Sequence, residues 1–182
     1  IKDITEESAL EKERIKLDER LQILTNNVPG MVYSFKIDQN NQASLLGCND
    51  YVYNIYEITK NEALKDVNLL FNQTKPKYKK VLFELIENSR KSLTLFEFEG
   101  EIITPTGKEK WTTCQAWPKK QNDGSVIWTG IILDTTEKNR IKEEKKIAEQ
   151  EAQKLEQEKD ALGIELTQLI DTANAPIFGI DK

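Results

Sequence analysis

Histidine is absent from the 182 residues of this chain, and the absence removes several chemistries at once. A histidine-ligated haem, a histidine-containing zinc site, a Ser-His-Asp or Cys-His pair and a phospho-accepting histidine are all impossible within it. Glycine is sparse: the eight glycines are scattered and form no phosphate-cradling loop. The two cysteines, Cys48 and Cys114, stand far apart without metal-like spacing and are expected to be reduced, core-type thiols. No apolar run approaches the length of a membrane span and no signal peptide is visible, so no membrane segment is expected within these residues, and a cytoplasmic location follows as an expectation. A net charge of −5 without a basic face offers no footprint for nucleic acid. Enzymatic chemistry would have to rest on a carboxylate pair or a lone cysteine, and nothing marks either. No catalytic residue and no metal site are assigned, and the chain itself is read as non-catalytic.

What is present is a repeat of punctuation. Asp3-Ile4-Thr5-Glu6 and Asp134-Thr135-Thr136-Glu137 each open a charged, proline-free stretch, and each stretch ends in a short apolar run leading to a proline, Pro29 or Pro176. In each opening an Asp or Thr oxygen can cap first-turn N–H groups, and the Glu three residues after the Asp resembles the other half of a capping box. The chain is therefore expected to be a section of an array: residues 1–5 the tail of a preceding unit, 6–25 a linker helix, 26–136 a complete domain, 137–170 a second linker helix, and 171–182 the start of a following unit.

From Glu137 to Asp160, 15 of 24 residues are charged and none is Gly, Pro or aromatic, the composition of a solvated helix. Leu10, Leu17 and Leu24, and then Ile141, Ala148, Leu155, Leu162 and Leu169, recur at seven-residue spacing. The intervening seam positions Lys145, Ala152, Lys159 and Leu166 are half polar. This pattern suits a weak two-stranded coiled coil and a homodimer of parallel helices; a solvated single helix fits the same residues.

The segment between the linkers holds nearly all the aromatic residues. Met31, Tyr33, Phe35 and Ile37 alternate along a strand that closes at Asp38-Gln39-Asn40-Asn41, and residues 43–48 return as a second strand. Residues 49–70 have short helical periods, and 78–89 form an amphipathic helix with Val81, Leu82, Leu85 and Ile86 on one side. Strands follow at about 93–103, 108–118 and 125–133, joined by the turn sequences Thr104-Pro105-Thr106-Gly107 and Asn122-Asp123-Gly124. Hairpins at both ends predict an α+β domain, an antiparallel five-stranded sheet with short helices on one face, flanked by long helices.

That element order, with Lys108-Glu109-Lys110-Trp111 after a Gly turn, Asn122-Asp123-Gly124, Trp128-Thr129-Gly130 and the closing Asp134-Thr135-Thr136-Glu137, resembles a PAS domain of the sensory-box type found in multi-domain bacterial sensors. Ile1 to Glu7 then resembles the tail of a preceding PAS domain, and Leu169 to Lys182 the first strand of a following one. The resemblance implies a sensory and signal-relay module of the kind found in two-component sensor kinases and cyclases, with neighbouring PAS and output domains of the same chain as its partners. The signal exit would be Asp134, Thr135 and Thr136, leading into the second linker helix. A ligand-free spacer and dimerisation module is the alternative. A light-oxygen-voltage flavin domain would carry an Asn-Cys-Arg-Phe-Leu-Gln-like run, whereas residues 68–74 read Asn-Leu-Leu-Phe-Asn-Gln-Thr. Cys48 comes too early and Cys114 falls on a predicted strand, so cysteinyl-flavin photochemistry is disfavoured. The cofactor is left open between none, a small metabolite and a noncovalently bound flavin.

Alternation places Tyr33, Phe35, Phe96, Phe98 and Cys114 on the covered side of the sheet, with Tyr53, Tyr56, Phe71 and Phe83 approaching from the helices. These are the ligand-pocket candidates, and an ordinary filled core is the other reading of the same set. Trp111 and Trp117 share the opposite face from Cys114, an outer face that linker helices or a second subunit would cover.

Overall fold

The computed structural model describes residues 11–17, 19–20, 24–25 and 27–173. The first Asp-x-Thr-Glu segment, Leu10 of the proposed seam and residues 174–182, with Pro176, lie outside the described residues. The chain divides into two compact units, Ile1–Thr136 and Glu137–Lys182.

In the first unit, residues 11–17, 19–20 and 24–25 are helical. Strands β1 (Met31–Ile37) and β2 (Ala43–Cys48) are followed by α1 (Val52–Tyr56), α2 (Lys60–Lys65), α3 (Asn68–Gln73) and α4 (Pro76–Ser92), then by β3 (Phe96–Ile103), β4 (Glu109–Lys120) and β5 (Val126–Asp134). The five strands pair antiparallel in the order β2-β1-β5-β4-β3. The first and last strands of the domain are thus central neighbours, with Met31 opposite Ile132 and Ile37 opposite Val126.

Each element has a local cause. Asp38 Oδ1 accepts from the Asn40 and Gln42 amides, both at 2.8 Å, and turns β1 back into β2. Thr59 caps α2 reciprocally with Glu62: the Thr59 Oγ1 accepts from the Glu62 amide at 3.3 Å while Glu62 Oε2 accepts from the Thr59 amide at 2.7 Å. Pro76 opens α4 at a position whose N–H would be unsatisfied anyway. Gly107 and Gly124 take φ of 85° and 77° in the two hairpin turns, the conformation that favours glycine. Asn49, buried, holds the segment before β1: its Oδ1 accepts from the Val32 amide at 3.1 Å, and its Nδ2 donates to the carbonyls of Thr25 at 2.7 Å and Gly30 at 3.0 Å.

The core lies between one face of the sheet and the helices. Met31, Phe35, Phe96, Ile102, Ala116, Val126 and Trp128 meet Val52, Ile55, Ala63, Leu70, Leu82 and Ile86 there. Helix α4 departs from the sequence expectation at Val81, which is exposed, because its buried stripe runs through Leu82, Ile86 and Ser89. Strand β3 begins at Phe96 rather than near 93, because Leu93 ends α4 in the left-handed region at φ 55°.

The described part of the second unit is helical from Glu137 on, within α5 (Thr136–Ala173), 38 residues long and with no buried residue. Arg140 pairs with Glu137 and Glu144, and Lys145 with Glu149. No helix among the described residues is long and apolar enough to cross a membrane.

Candidate functional site

Beneath the sheet the side chains leave a cavity of about 70 Å³. Tyr33, Phe35, Phe96, Phe98 and Cys114 line it from the strands, and Tyr56 and Phe71 line it from the helices. No charged residue is on its wall. Its polar groups are the hydroxyls of Tyr33, Tyr56, Thr74 and Thr112, the Cys114 thiol and the Trp128 indole N–H, and the Tyr33 hydroxyl lies 3.0 Å from the Cys114 Sγ. Burial pushes the Cys114 thiol up to about 12, with the Tyr33 hydroxyl pulling weakly the other way. Burial likewise raises Tyr33, helped by Cys114, and raises Tyr56 for the same reasons. All three groups are therefore neutral hydrogen-bonding groups at physiological pH. The thiol is not an activated nucleophile.

Two pocket candidates lie elsewhere. Tyr53 is 60% exposed and does not reach the cavity, because its neighbours Val52, Ile55 and Tyr56 occupy the buried side of α1. Phe83 is 49% exposed; it meets Phe71 at 5.5 Å between ring centroids and lines a surface groove with Ile37 and Arg90. The α4 stripe through Leu82 and Ile86 turns Phe83 outward. Phe71 stands between the two spaces, edge-on to Phe35 at 5.7 Å.

The sequence reading missed Trp128, which is buried on the cavity wall and donates its Nε1–H to Ser89 Oγ at 2.9 Å. Its signal was available in the same-parity series Val126, Trp128, Gly130, Ile132 of β5. Met31, Leu45, Leu70 and Ile102 also line the cavity. Gln73 donates to the Tyr56 carbonyl at 2.9 Å and leaves its Oε1 buried without a partner. Among the described residues no group of His, Cys, Asp or Glu side chains could hold a metal ion.

The proposed exit is a compact junction. Asp134 Oδ1 accepts from the Thr136 amide at 3.0 Å and its hydroxyl at 2.5 Å, while Thr136 Oγ1 accepts from the Trp111 amide at 2.9 Å. The Thr135 amide donates to the Trp111 carbonyl at 2.8 Å. Burial pushes the Asp134 carboxyl up, but the Thr136 hydroxyl and amide, together with Lys110, outweigh it and leave the group below its ordinary value. Asp134 thus supplies the cap expected of it, whereas Glu137 bonds Arg140 rather than closing a box. Of the seam residues, Leu17, Leu24, Ile141, Ala148, Leu155, Leu162 and Leu169 are all exposed. On the outer face of the sheet Trp117 is 59% exposed, and Trp111 is half-buried against Tyr78 at 6.0 Å between centroids.

An antiparallel sheet of this order, helices on one face and a small cavity between them make an α+β domain. No protein-family model and no curated protein matches the sequence, but solved structures do match the fold. A sensory box histidine kinase/response regulator from Burkholderia thailandensis aligns with a TM-score of 0.57 at 12% identity over 74% of this chain and 98% of that one. The PAS domain of a protein from Colwellia psychrerythraea gives 0.53 at 14% identity, covering 66% and 98%. The N-terminal domain of a diguanylate cyclase with PAS/PAC sensor from Marinobacter aquaeolei gives 0.50 at 11%, covering 60% and 98%. The fold of this chain is the PAS fold.

Proposed function

We propose that this chain is a non-catalytic sensory and relay module, in which occupancy of the cavity biases the sheet and the bias leaves through Asp134-Thr135-Thr136 into α5. The observation that carries the reading is continuity. The strand that supplies Trp128 and Ile132 to the cavity wall ends at Asp134, whose carboxylate caps the helix that starts at Thr136. The ligand class that suits the wall is a small, uncharged, mainly apolar molecule. No fixed charge is present to hold an ionic group, and burying one without a partner is costly. The Tyr33–Cys114 pair would be a polar anchor for it.

The exposed Ile141, Leu155, Leu162 and Leu169 of α5 suit a partner helix, and a second copy of this chain is the proposed one, paired in parallel. A seam of modest stability can shift register or rotation for a few kcal/mol, which a two-state relay requires. The neighbouring units proposed for residues 1–5 and 171–182 would be further PAS domains, within a cytoplasmic signalling protein carrying a separate output domain.

A second reading has its own support. A cavity of about 70 Å³ is smaller than the roughly 150 Å³ that admits benzene in an engineered core, which favours a ligand-free spacer and dimerisation module. Native mass spectrometry of the full chain, with absorbance beyond the tryptophan band, separates the two. A co-purifying small molecule that is lost on filling the cavity with Cys114→Phe supports the sensor, and an empty dimer supports the spacer. In the intact signalling protein, Asp134→Ala is expected to uncouple input from output while the domain stays folded; unchanged output removes Asp134 from the relay. Sedimentation of the chain as a monomer at micromolar concentration would remove the homodimer.

A further inference from the structure

We propose that Lys110 is a positioning residue that ties helix α1, on the cavity wall, to the carboxylate that caps α5. The inference rests on the relay reading above and names the route of that relay. Lys110 lies near the start of β4, and its side chain is only 16% exposed. A lysine ammonium ordinarily keeps to water; this one is held between two partners on separate elements. It donates to the Asn54 carbonyl at 2.5 Å and lies 3.3 Å from Asp134 Oδ2.

Both partners are placed to make the link consequential. Asn54 sits within the five-residue α1, where the final carbonyls have no intrahelical donor and favour a cation. The same short helix carries Ile55 into the core and Tyr56 into the cavity wall. At the other end, the two oxygens of Asp134 divide their work: Oδ2 meets Lys110, and Oδ1 holds the Thr136 amide and hydroxyl. The residue after Lys110 completes the junction, since the Trp111 amide donates to Thr136 Oγ1. A displacement of α1 relative to β4 must stretch the bond to Asn54 or draw the ammonium off Asp134.

A second tether shows which contact passes the displacement on. Glu57, at φ 55° just past α1, accepts from Lys108 Nζ at 2.8 Å and from the Thr106 hydroxyl at 2.5 Å. That tether fixes the end of α1 to the β3–β4 turn and stops there. Lys110, two residues further along β4, continues to the cap.

The test is a double-mutant cycle on the full chain, read by amide hydrogen exchange at Thr136. Tyr56→Phe is the mild perturbation of the cavity wall. It is expected to change Thr136 exchange by about 2-fold or more in the parent chain, the lower end of coupling between linked sites. The effect is expected to vanish in Lys110→Met and to return in Lys110→Arg, which keeps the charge and the donors. Asp134→Asn keeps the cap oxygen but not the charge, is expected to uncouple in the same way, and serves if Lys110→Met does not fold. An equal response to Tyr56→Phe with and without Lys110 overturns the role of Lys110 alone. No response at Thr136 in the parent chain overturns the relay reading, and the route with it.

Discussion

The indole of Trp128 and the hydroxyl of Ser89 form a buried hydrogen bond of 2.9 Å that joins the central strand β5 to the last turn of α4. Ser89 Oγ–H in turn donates to the Thr94 carbonyl at 2.6 Å, so one hydroxyl fixes both the helix and the segment leading into β3. Ser89→Ala strands the indole N–H in the core and is expected to cost about 1–3 kcal/mol. Trp128→Phe should cost a similar amount through lost volume and the lost bond. The double variant should be less destabilised than the sum, because the orphaned donor is gone. Urea unfolding of the three variants measures this, and strict additivity would argue against the bond.

Two strand glycines should behave oppositely. A Cβ on Gly130 would lie 2.1 Å from the Gln115 carbonyl oxygen and 2.5 Å from the Ala116 Cβ, whereas one on Gly47 meets nothing within 4 Å. Backbone cannot move aside as a side-chain tip can, so Gly130→Ala is expected to cost about 3 kcal/mol, at the upper end for overpacking, and Gly47→Ala to be near neutral. Thermal melts of the two variants should differ plainly.

Thiol labelling should be ordered. Cys114 is buried with its thiol pushed up to about 12, while Cys48 is half-buried and raised by less complete desolvation. An aromatic disulfide reagent at mildly alkaline pH should modify Cys48 first and reach Cys114 only when the chain unfolds. Equal rates in the folded protein would contradict the placement of Cys114.

Acid should weaken the domain over a defined window. Glu57 is held down to about 2 by Lys108 and then Thr106, Glu101 to about 2 by Lys77 and then Lys75, and Asp123 to about 2 by Ser125. Each group binds its proton more readily unfolded than folded. The stability they contribute is present above the ordinary carboxylate values of 4.5 and 3.8 and is lost as pH falls toward 2. The melting temperature should be level from neutral pH to about 5 and decline below it, with a shallower decline in Glu57→Gln. An unchanged slope in that variant would remove Glu57 from the acid response.

Much of this was legible in the chain because its signals are local. The alternation in β1, the glycines of the two hairpin turns and the Asp134 cap each act over a few residues, and each appears where the pattern put it. Tyr53 falls outside the cavity because the five-residue α1 offers too few positions to fix its buried side from sequence. Phe83, by contrast, sits on the 17-residue α4 next to the buried stripe rather than on it. The burial of Val52 and Ile55 settles the side for Tyr53, and that of Leu82 and Ile86 for Phe83. Trp128 obeys the parity of its strand, on the same face as the buried Val126 and Ile132. The cavity and the Lys110 contacts were not legible at all. A cavity is the space that packing fails to fill, and Lys110 joins residues 56 positions before it and 24 after it only once the sheet has formed.

The pairing of β1 with β5 has a mechanical consequence. Met31 opens one strand and faces Ile132, near the end of the other, so the chain comes into the domain and goes out of it at the same end of one antiparallel ladder. Tension applied through residues 30 and 135 would load that ladder as a zipper, one hydrogen-bonded pair at a time from Met31–Ile132 inward, rather than shearing all its bonds together. Pulled from its two ends, the domain yields first along the seam that joins its beginning to its end.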